Sequence, residues 1–409
     1  MPASQAPSRP GDRTRIVVVG SGWRFLSGIS YYTCRLGNAL QERYDVGVIL
    51  MRRLLPARLY PGRARVGHRL SELSYAEGVR VFDGVDWWGV PSLIRAVRFL
   101  LRFRPEALVL QWWTGTVLHS YLVLCVAARL AGIPVVIEFH EVQDTGEARH
   151  RWAAAYVRRL IRPLLRRTDG VVVHSRFDRA ALRSTYDLAG VADEIALHGP
   201  YDHHEVPAHR PAEPGRTRLL FFGTIRPYKG LEDLIEAFAL LPGEYDLTVV
   251  GETWEGWTLP AELIAGSPAA DRITFVNRYV ADAEVDAYFA AADVVVLPYR
   301  RSSASGPLHI AMSHGLPVVV TSVGGLVEAA EEYTGTTFVP AASPVALADA
   351  IRRATGLTGR RHADPSSWEQ TVAAYDRLLT RIGVLTVVQP FEITTSSNQT
   401  VPSLSPDLR

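Results

Sequence analysis

Lysine is nearly absent from this 409-residue chain: of 44 basic residues one, Lys229, is a lysine and the rest are arginines. A skew of that size reads as coding bias, so arginine covers every solvated face. The one position that keeps an ammonium raises the question of what a compact point charge does there that a planar guanidinium would not. Cysteine is scarce as well. Cys34 and Cys125 stand alone with no Cys-x-x-Cys spacing, which excludes a disulfide scaffold and suits small buried residues of a reducing compartment. Charge of one sign is missing too: 44 basic against 42 acidic residues leave a net of +2, too near balance for nucleic-acid electrostatics to dominate, and no nucleic-acid partner is expected. Long apolar runs are lacking. The longest, Leu118 to Phe139, is broken by Arg129, Gly132 and Pro134 and does not make a clean membrane span. Met1 to Asp12 is rich in Pro, Ser and Arg with no apolar centre, unlike a signal peptide. A cytoplasmic protein is expected, with the inner face of the membrane as one option.

What is present is 47% hydrophobic residues arranged in short apolar runs that alternate with segments of helical period. Ile16 to Val19, a Gly/Ser loop, a helical segment from Ser30 to Leu40 and Val46 to Leu50 make a βαβ opening. The alternation continues through Leu108 to Gln111, Val135 to Phe139, an Arg-rich helix from about Ala148 to Arg167, and Val171 to Ser175. Between Gly199 and Arg216 four prolines mark a linker. A second series follows: Leu219 to Phe222, Leu247 to Val250, Ile273 to Val276, Val294 to Leu297 and Val318 to Thr321, with helices between. The expected fold class is α/β, two doubly wound Rossmann-like domains facing across a cleft. The expected division is a disordered segment 1–14, a first domain 15–205, a second domain 206–365, a terminal helix 366–383 and a disordered tail 384–409.

The sharpest local feature is Leu219-Leu-Phe-Phe-Gly-Thr-Ile-Arg-Pro-Tyr-Lys-Gly230, leading into a helix. A strand, a glycine turn at Gly223 and a helix N-terminus present unpaired N–H groups to a phosphate, and Arg226 and Lys229 add two cations there. The alternative is a pair of solvated charges at a helix start, a place that disfavours cations. Ser305-Gly306-Pro307, after the strand ending at Leu297, is a second anion candidate, although the same triplet is a routine helix start. In the first half Gly20-Ser-Gly22 lacks the third glycine of a dinucleotide fingerprint, since Phe25 stands there. Its loop still brings Ser27 and Gly28 toward a cleft. His140 and Glu141 emerge from the strand ending at Phe139, where a histidine can titrate or orient a hydroxyl. Trp112 and Trp113, at another strand end, either stack on an acceptor or pack beneath the cleft. The run His198-Gly-Pro-Tyr-Asp-His-His-Glu205 reads as a hinge and cleft rim in preference to a metal site. The Arg-rich segments Arg95 to Arg104 and Arg149 to Arg167 interleave arginine with apolar residues, as helices on anionic membrane surfaces do.

These residues resemble the GT-B nucleotide-sugar glycosyltransferases, and within them glycosyltransferase family 4, over about residues 15 to 383. Phe222-Gly223 through Lys229-Gly230 looks like the family's diphosphate loop. Val295-Val-Leu-Pro298, Ala311-Met-Ser-His-Gly-Leu-Pro-Val-Val319, Thr321-x-x-Gly-Gly325 and Ser367-Trp-Glu369 resemble the stretches that follow. The resemblance implies a hexosyltransferase that moves a sugar from a nucleoside diphosphate donor to a glycan, lipid-linked or small-molecule acceptor hydroxyl, with retention of configuration and neither metal nor cofactor. By it Lys229 and Arg226 hold the donor diphosphate with Gly223, Ser305 and Gly306, and Gly28 faces them across the cleft. His140 lies near the sugar; Tyr31, Trp112, Trp113 and Glu141 are the acceptor-side candidates; the final helix crosses back to the first domain. Two departures stand out. Thr224 follows the first glycine where the family has arginine, and Ser302 and Ile310 occupy the places of a glutamate pair, the second of which would normally contact the nucleoside ribose. A non-catalytic sugar-nucleotide-binding subunit and a GT-B epimerase are the alternatives.

Overall fold

The computed structural model describes residues 13–22, 28–53, 73–86, 89–142, 151–201, 215–253 and 257–386. The apolar runs become strands of two separate sheets. In the first half β1 (Arg15–Ser21), β2 (Asp45–Arg53), β3 (Arg80–Asp86), β4 (Ala107–Trp112), β5 (Val135–Phe139), β6 (Gly170–Val173) and β7 (Ala192–Ile195) pair in the order β3-β2-β1-β4-β5-β6-β7. In the second half β8 (Thr217–Phe222), β9 (Tyr245–Val250), β10 (Ile273–Val276), β11 (Val294–Leu297), β12 (Val318–Thr321) and β13 (Thr336–Val339) pair as β10-β9-β8-β11-β12-β13. Pairing is parallel in both, so each order reverses at one switch point, between β1 and β4 and between β8 and β11.

Helices cover both faces, which is why the strands bury β-branched residues on either side: Ile16, Val17, Val18 and Val19 are all fully buried. α1 (Gly28–Gln41) lies on one face of the first sheet; α2 (Val90–Phe103), α3 (Leu118–Leu130) and α4 (Arg151–Leu165) pack into the core of the other, and α5 (Arg176–Thr185) follows β6. The second sheet carries α6 (Leu231–Ala239), α7 (Leu259–Ala265), α8 (Asp282–Ala291), α9 (Gly306–Ser313), α10 (Leu326–Ala330) and α11 (Pro344–Thr355). α12 (Trp368–Arg381) leaves the second unit and packs Val372, Tyr375, Leu378 and Leu379 into the first, beside Ile16 and Val18. This is the doubly wound two-domain fold with a returning helix that the sequence leads one to expect.

Three strands carry no sequence signal, and all three are sheet edges. β3, β7 and β13 each have a neighbour on one side only. Ala192-Asp-Glu-Ile195 is half-buried throughout, so it has no unbroken apolar run to announce it. Most of the expected disordered segments and of the linker falls on residues 1–12, 202–214 and 387–409, outside the described residues, while Val384 and Leu385 of the expected tail pack against the first core. Among the described residues no helix is long and apolar enough to cross a membrane.

Candidate functional site

Beside the second switch point β8 and β9 end so close together that both chains leave through glycine. Gly223 has φ 115° and Gly251 φ 150°, and a Cβ on Gly251 would lie 2.0 Å from the Gly223 carbonyl oxygen. The chain makes one 3-10 turn, Pro227–Lys229, then enters α6 through Gly230 in the left-handed region. That turn folds Lys229 inward. Its Nζ donates to the Tyr299 hydroxyl at 2.9 Å and lies 4.5 Å from that ring's centre. The Tyr299 hydroxyl accepts from Ser305 Oγ at 3.4 Å, and Ser305 caps α9 by accepting from Leu308 N. The two anion candidates of the sequence are therefore one cluster.

No carboxylate pairs with Lys229 among the described residues. Burial pushes its ammonium below the usual lysine range, and the charge of Arg226 pushes the same way. A cation enclosed without a counter-charge, beside the amides that open α9, is an arrangement that an incoming anion completes. The space is narrow at Gly223: a methyl group there would stand 3.3 Å from Lys229 Nζ and 3.3 Å from Pro307 Cγ.

The first domain meets this cluster at Tyr201. A methyl group on Gly28, the first residue of α1, would lie 3.0 Å from the Tyr201 hydroxyl, and one on Gly306, the first residue of α9, would lie 3.4 Å from it. The N-termini of two helices from different sheets thus converge on one hydroxyl. Behind it runs a file of rings: Tyr201 stacks on His198 at 5.5 Å, and His198 stacks on His309 of α9 at 4.6 Å. Farther along, Glu328 of α10 accepts from the N–H groups of Arg176 and Phe177 at 2.7 and 2.8 Å, closing the N-terminus of α5 across the domain boundary.

His140 follows β5 as expected, but its ring turns inward and is almost wholly enclosed, where the sequence suggested a ring facing an open cleft. The reason is the strand register. β5 and β6 pair Glu138 with Val172, which brings His174 beside His140, and their Nε2 and Nδ1 atoms are 3.1 Å apart. His174 Nδ1 faces the Ala196 carbonyl at 2.9 Å, and a carbonyl only accepts, so that nitrogen carries the proton. Burial pulls His174 down to about 4. Neutral His174 therefore accepts from His140 Nδ1. Glu138, fully buried, accepts from the Tyr32 hydroxyl at 2.6 Å and from Gln111 at 2.9 Å. Burial pushes its carboxyl up, but hydrogen bonding and the charges of His140 and His174, with Tyr32, outweigh that and hold it at about 2. Glu138, His140 and His174 are the group among the described residues whose donor atoms lie close enough to share one metal ion. Both carboxylate oxygens and His174 Nδ1 are already engaged, so the group is a knit polar network.

The other candidates separate. Trp112 is buried among core residues 6.2 Å from Phe139, so it packs beneath the cleft and does not line it. Trp113 is half-buried against Tyr121, Tyr31 is half-buried 6.5 Å from Tyr201, Glu141 is exposed and Arg226 is half-buried. Ile310, at the place of the second acid, is buried. Sequence reasoning missed Tyr201, Tyr299, His174 and Glu138 as site members. Two histidines following neighbouring parallel strands, His140 and His174, were a readable signal; the tyrosines had none, because they reach the cluster only through tertiary packing.

A family model described as "Glycosyl transferase 4-like domain" matches residues 27–200, and one described as "Glycosyl transferases group 1" matches residues 216–356. The chain is 30% identical over 232 residues to D-inositol 3-phosphate glycosyltransferase of Mycolicibacterium gilvum, covering 53% of this chain and 52% of that protein. It is 29% identical over 205 residues to GDP-mannose:glycolipid 4-beta-D-mannosyltransferase of Xanthomonas campestris, covering 48% and 52%. The matched part thus spans about half the length of these curated relatives. Among solved structures, sucrose-phosphate synthase from Thermosynechococcus elongatus shares the fold with a TM-score of 0.60 at 17% identity, covering 91% of this chain and 98% of that one. Anabaena HepE in complex with UDP-glucose shares it with a TM-score of 0.55 at 15% identity, covering 90% and 96%.

Proposed function

The chain belongs to the glycosyltransferases of the GT-B fold, of the family 4 type, and from that footing we propose that it transfers a hexosyl unit from a nucleoside diphosphate sugar to an acceptor hydroxyl, with retention and without a metal. The observation that carries this reading is the enclosed Lys229 ammonium, which has no carboxylate partner among the described residues and lies between the Gly223 loop and the start of α9. Lys229 and Arg226 bind the diphosphate, with Ser305 and Gly306 supplying donors and Gly28 closing from the other domain. As the bond from the sugar to the diphosphate breaks, charge grows on the leaving oxygen, and a fixed cation with aligned amides stabilises it more than it stabilises the intact donor. His140, enclosed against His174, is assigned no direct contact with sugar or acceptor in this reading. The curated relatives named as acting on inositol phosphate and on a glycolipid support an acceptor carried on a polyol or a lipid.

A thermal-shift panel of nucleoside diphosphates and their sugars tests it, since a ligand at 100 times its dissociation constant stabilises by about 2.7 kcal/mol. One base is expected to stand out, and Lys229→Ala is expected to weaken that ligand at least about tenfold, the loss of one charged hydrogen bond. A Lys229→Ala protein that binds and transfers as the parent does would refute the assignment. Buried Ile310 in place of an acid favours one second reading, a non-catalytic donor-binding subunit. Donor binding with no nucleoside diphosphate released to any acceptor would support that reading.

A further inference from the structure

Three consecutive helices on one face of the first sheet contain no acidic residue. α2, α3 and α4 run for 14, 13 and 15 residues without an Asp or Glu, in a chain where 42 of 409 residues are acids. They adjoin one another, α2 on α3 and α3 on α4, over a shared core. Arg95, Arg98 and Arg102 of α2 and Arg158, Arg159 and Arg162 of α4 are exposed. Among the described residues none of the six is paired with a carboxylate, whereas Arg52, Arg216, Arg218 and Arg278 elsewhere are. Apolar side chains stand among them in the open: Ile94 and Leu101 on α2, Val123 and Val126 on α3, and Leu130 at 86% exposure. At the edge of the sheet Arg80, Arg95, Arg98 and Arg102 line a groove of about 440 Å³ whose remaining walls are Phe82, Phe99 and Phe103.

Composition alone does not make this pattern. Arginine bias explains why the cations are arginines, but not why the acids that neutralise arginines elsewhere are missing from three adjacent helices. We infer that this face of the first domain docks on an anionic lipid surface, with the arginine and phenylalanine groove seating a headgroup phosphate. Guanidinium forks match phosphate oxygens, and exposed Ile, Leu and Val gain by entering the acyl boundary. A nucleic acid would meet the same charge but leave those apolar side chains in water. The cleft opens at the carboxyl ends of the strands, so docking through a sheet face leaves it accessible. This inference stands apart from the transfer chemistry, because binding is read without turnover.

The test is co-sedimentation of the full chain with vesicles of phosphatidylcholine alone and of phosphatidylcholine with phosphatidylglycerol, at low and high salt. Enrichment on the phosphatidylglycerol vesicles is expected, weakening as salt rises. The double substitution Arg98→Glu with Arg102→Glu is expected to lower the partition at least tenfold, and Ile94→Ser with Leu101→Ser to lower it at both salt concentrations. All four side chains are exposed, and an unchanged thermal midpoint for each variant certifies the fold. Equal sedimentation with both vesicle types, or charge-reversed protein that binds as the parent does, overturns the inference. Binding to duplex DNA with none to vesicles overturns it also.

Discussion

Lys229 carries the most weight for one residue, and its meaning changes between sequence and structure. In the sequence it is one of two cations on a loop. In the fold it is enclosed against Tyr299, whose hydroxyl it shares with Ser305 Oγ. The enclosure makes its shape matter as well as its charge. Lys229→Arg keeps the cation but forces a planar guanidinium into a space bounded by Gly223 and Pro307, and overpacking of that kind costs about 1–3 kcal/mol. The expected result is a donor affinity reduced at least about tenfold in calorimetric titration; affinity equal to the parent's would mean that charge alone is read at this site. Lys229 was legible as a candidate because a cation at a helix start goes against the helix dipole and asks for a reason. Tyr201 and Tyr299 were not, because a tyrosine at a strand or loop end looks the same whether it faces a ligand or the core.

Among the elements, α12 shows how far local pattern reaches. Its start at Ser367-Trp-Glu369 was readable; its partners were not. Ser367 caps it by accepting from Gln370 N, Trp368 Nε1 donates to the Pro200 carbonyl at 3.1 Å, Thr371 Oγ1 donates to the Leu197 carbonyl at 2.7 Å, and Asp376 takes Arg43 and Tyr44. Trp368 is thereby a pin through the segment that joins the domains. Trp368→Ala is expected to destabilise the chain by about 3–5 kcal/mol, read as an earlier denaturant midpoint, while Trp368→Phe keeps most of the packing and loses the hydrogen bond. An unchanged midpoint for the alanine variant would show that α12 merely rests on the first domain. The edge strands β3, β7 and β13 teach the complementary lesson. Half-covered strands need no unbroken apolar run, so the signal that found their central neighbours is absent from them.

Across the whole molecule, the two domains meet through histidines held neutral by burial. His174 and His309 are both pulled down to about 4, and His198 lies well below the usual histidine value, in each case chiefly through desolvation. The unfolded chain takes up these protons near pH 6.5, so between about 6.5 and 4 it binds more protons than the folded chain does, and stability falls with acidification across that window. For His174 and His309 the loss amounts to roughly 3 kcal/mol each at the limit, absent above about pH 6.5 and complete below about pH 4. Glu138 acts in the same direction in a lower window: held at about 2, it adds stability that is present above its unfolded value and is lost as pH falls toward 2. Thermal midpoints are therefore expected to drop steadily from pH 7 to 5, and midpoints constant over that range would contradict the buried-histidine account.

The sequence by itself determined the parallel α/β class, the two-unit division, the start of the terminal helix and the loop that bears the lone lysine. Hydrophobic period, glycine turns and charge at helix starts act within one or two elements, and such local physics is written in adjacent residues. Only the tertiary structure decided that the Gly223 and Ser305 loops form one cluster, that His140 turns inward to His174, that Trp112 belongs to the core, and that three helices without acids share one face. Each of these depends on strand register and on which helices adjoin. Register and adjacency are settled by packing between segments far apart in the chain, which no local pattern records.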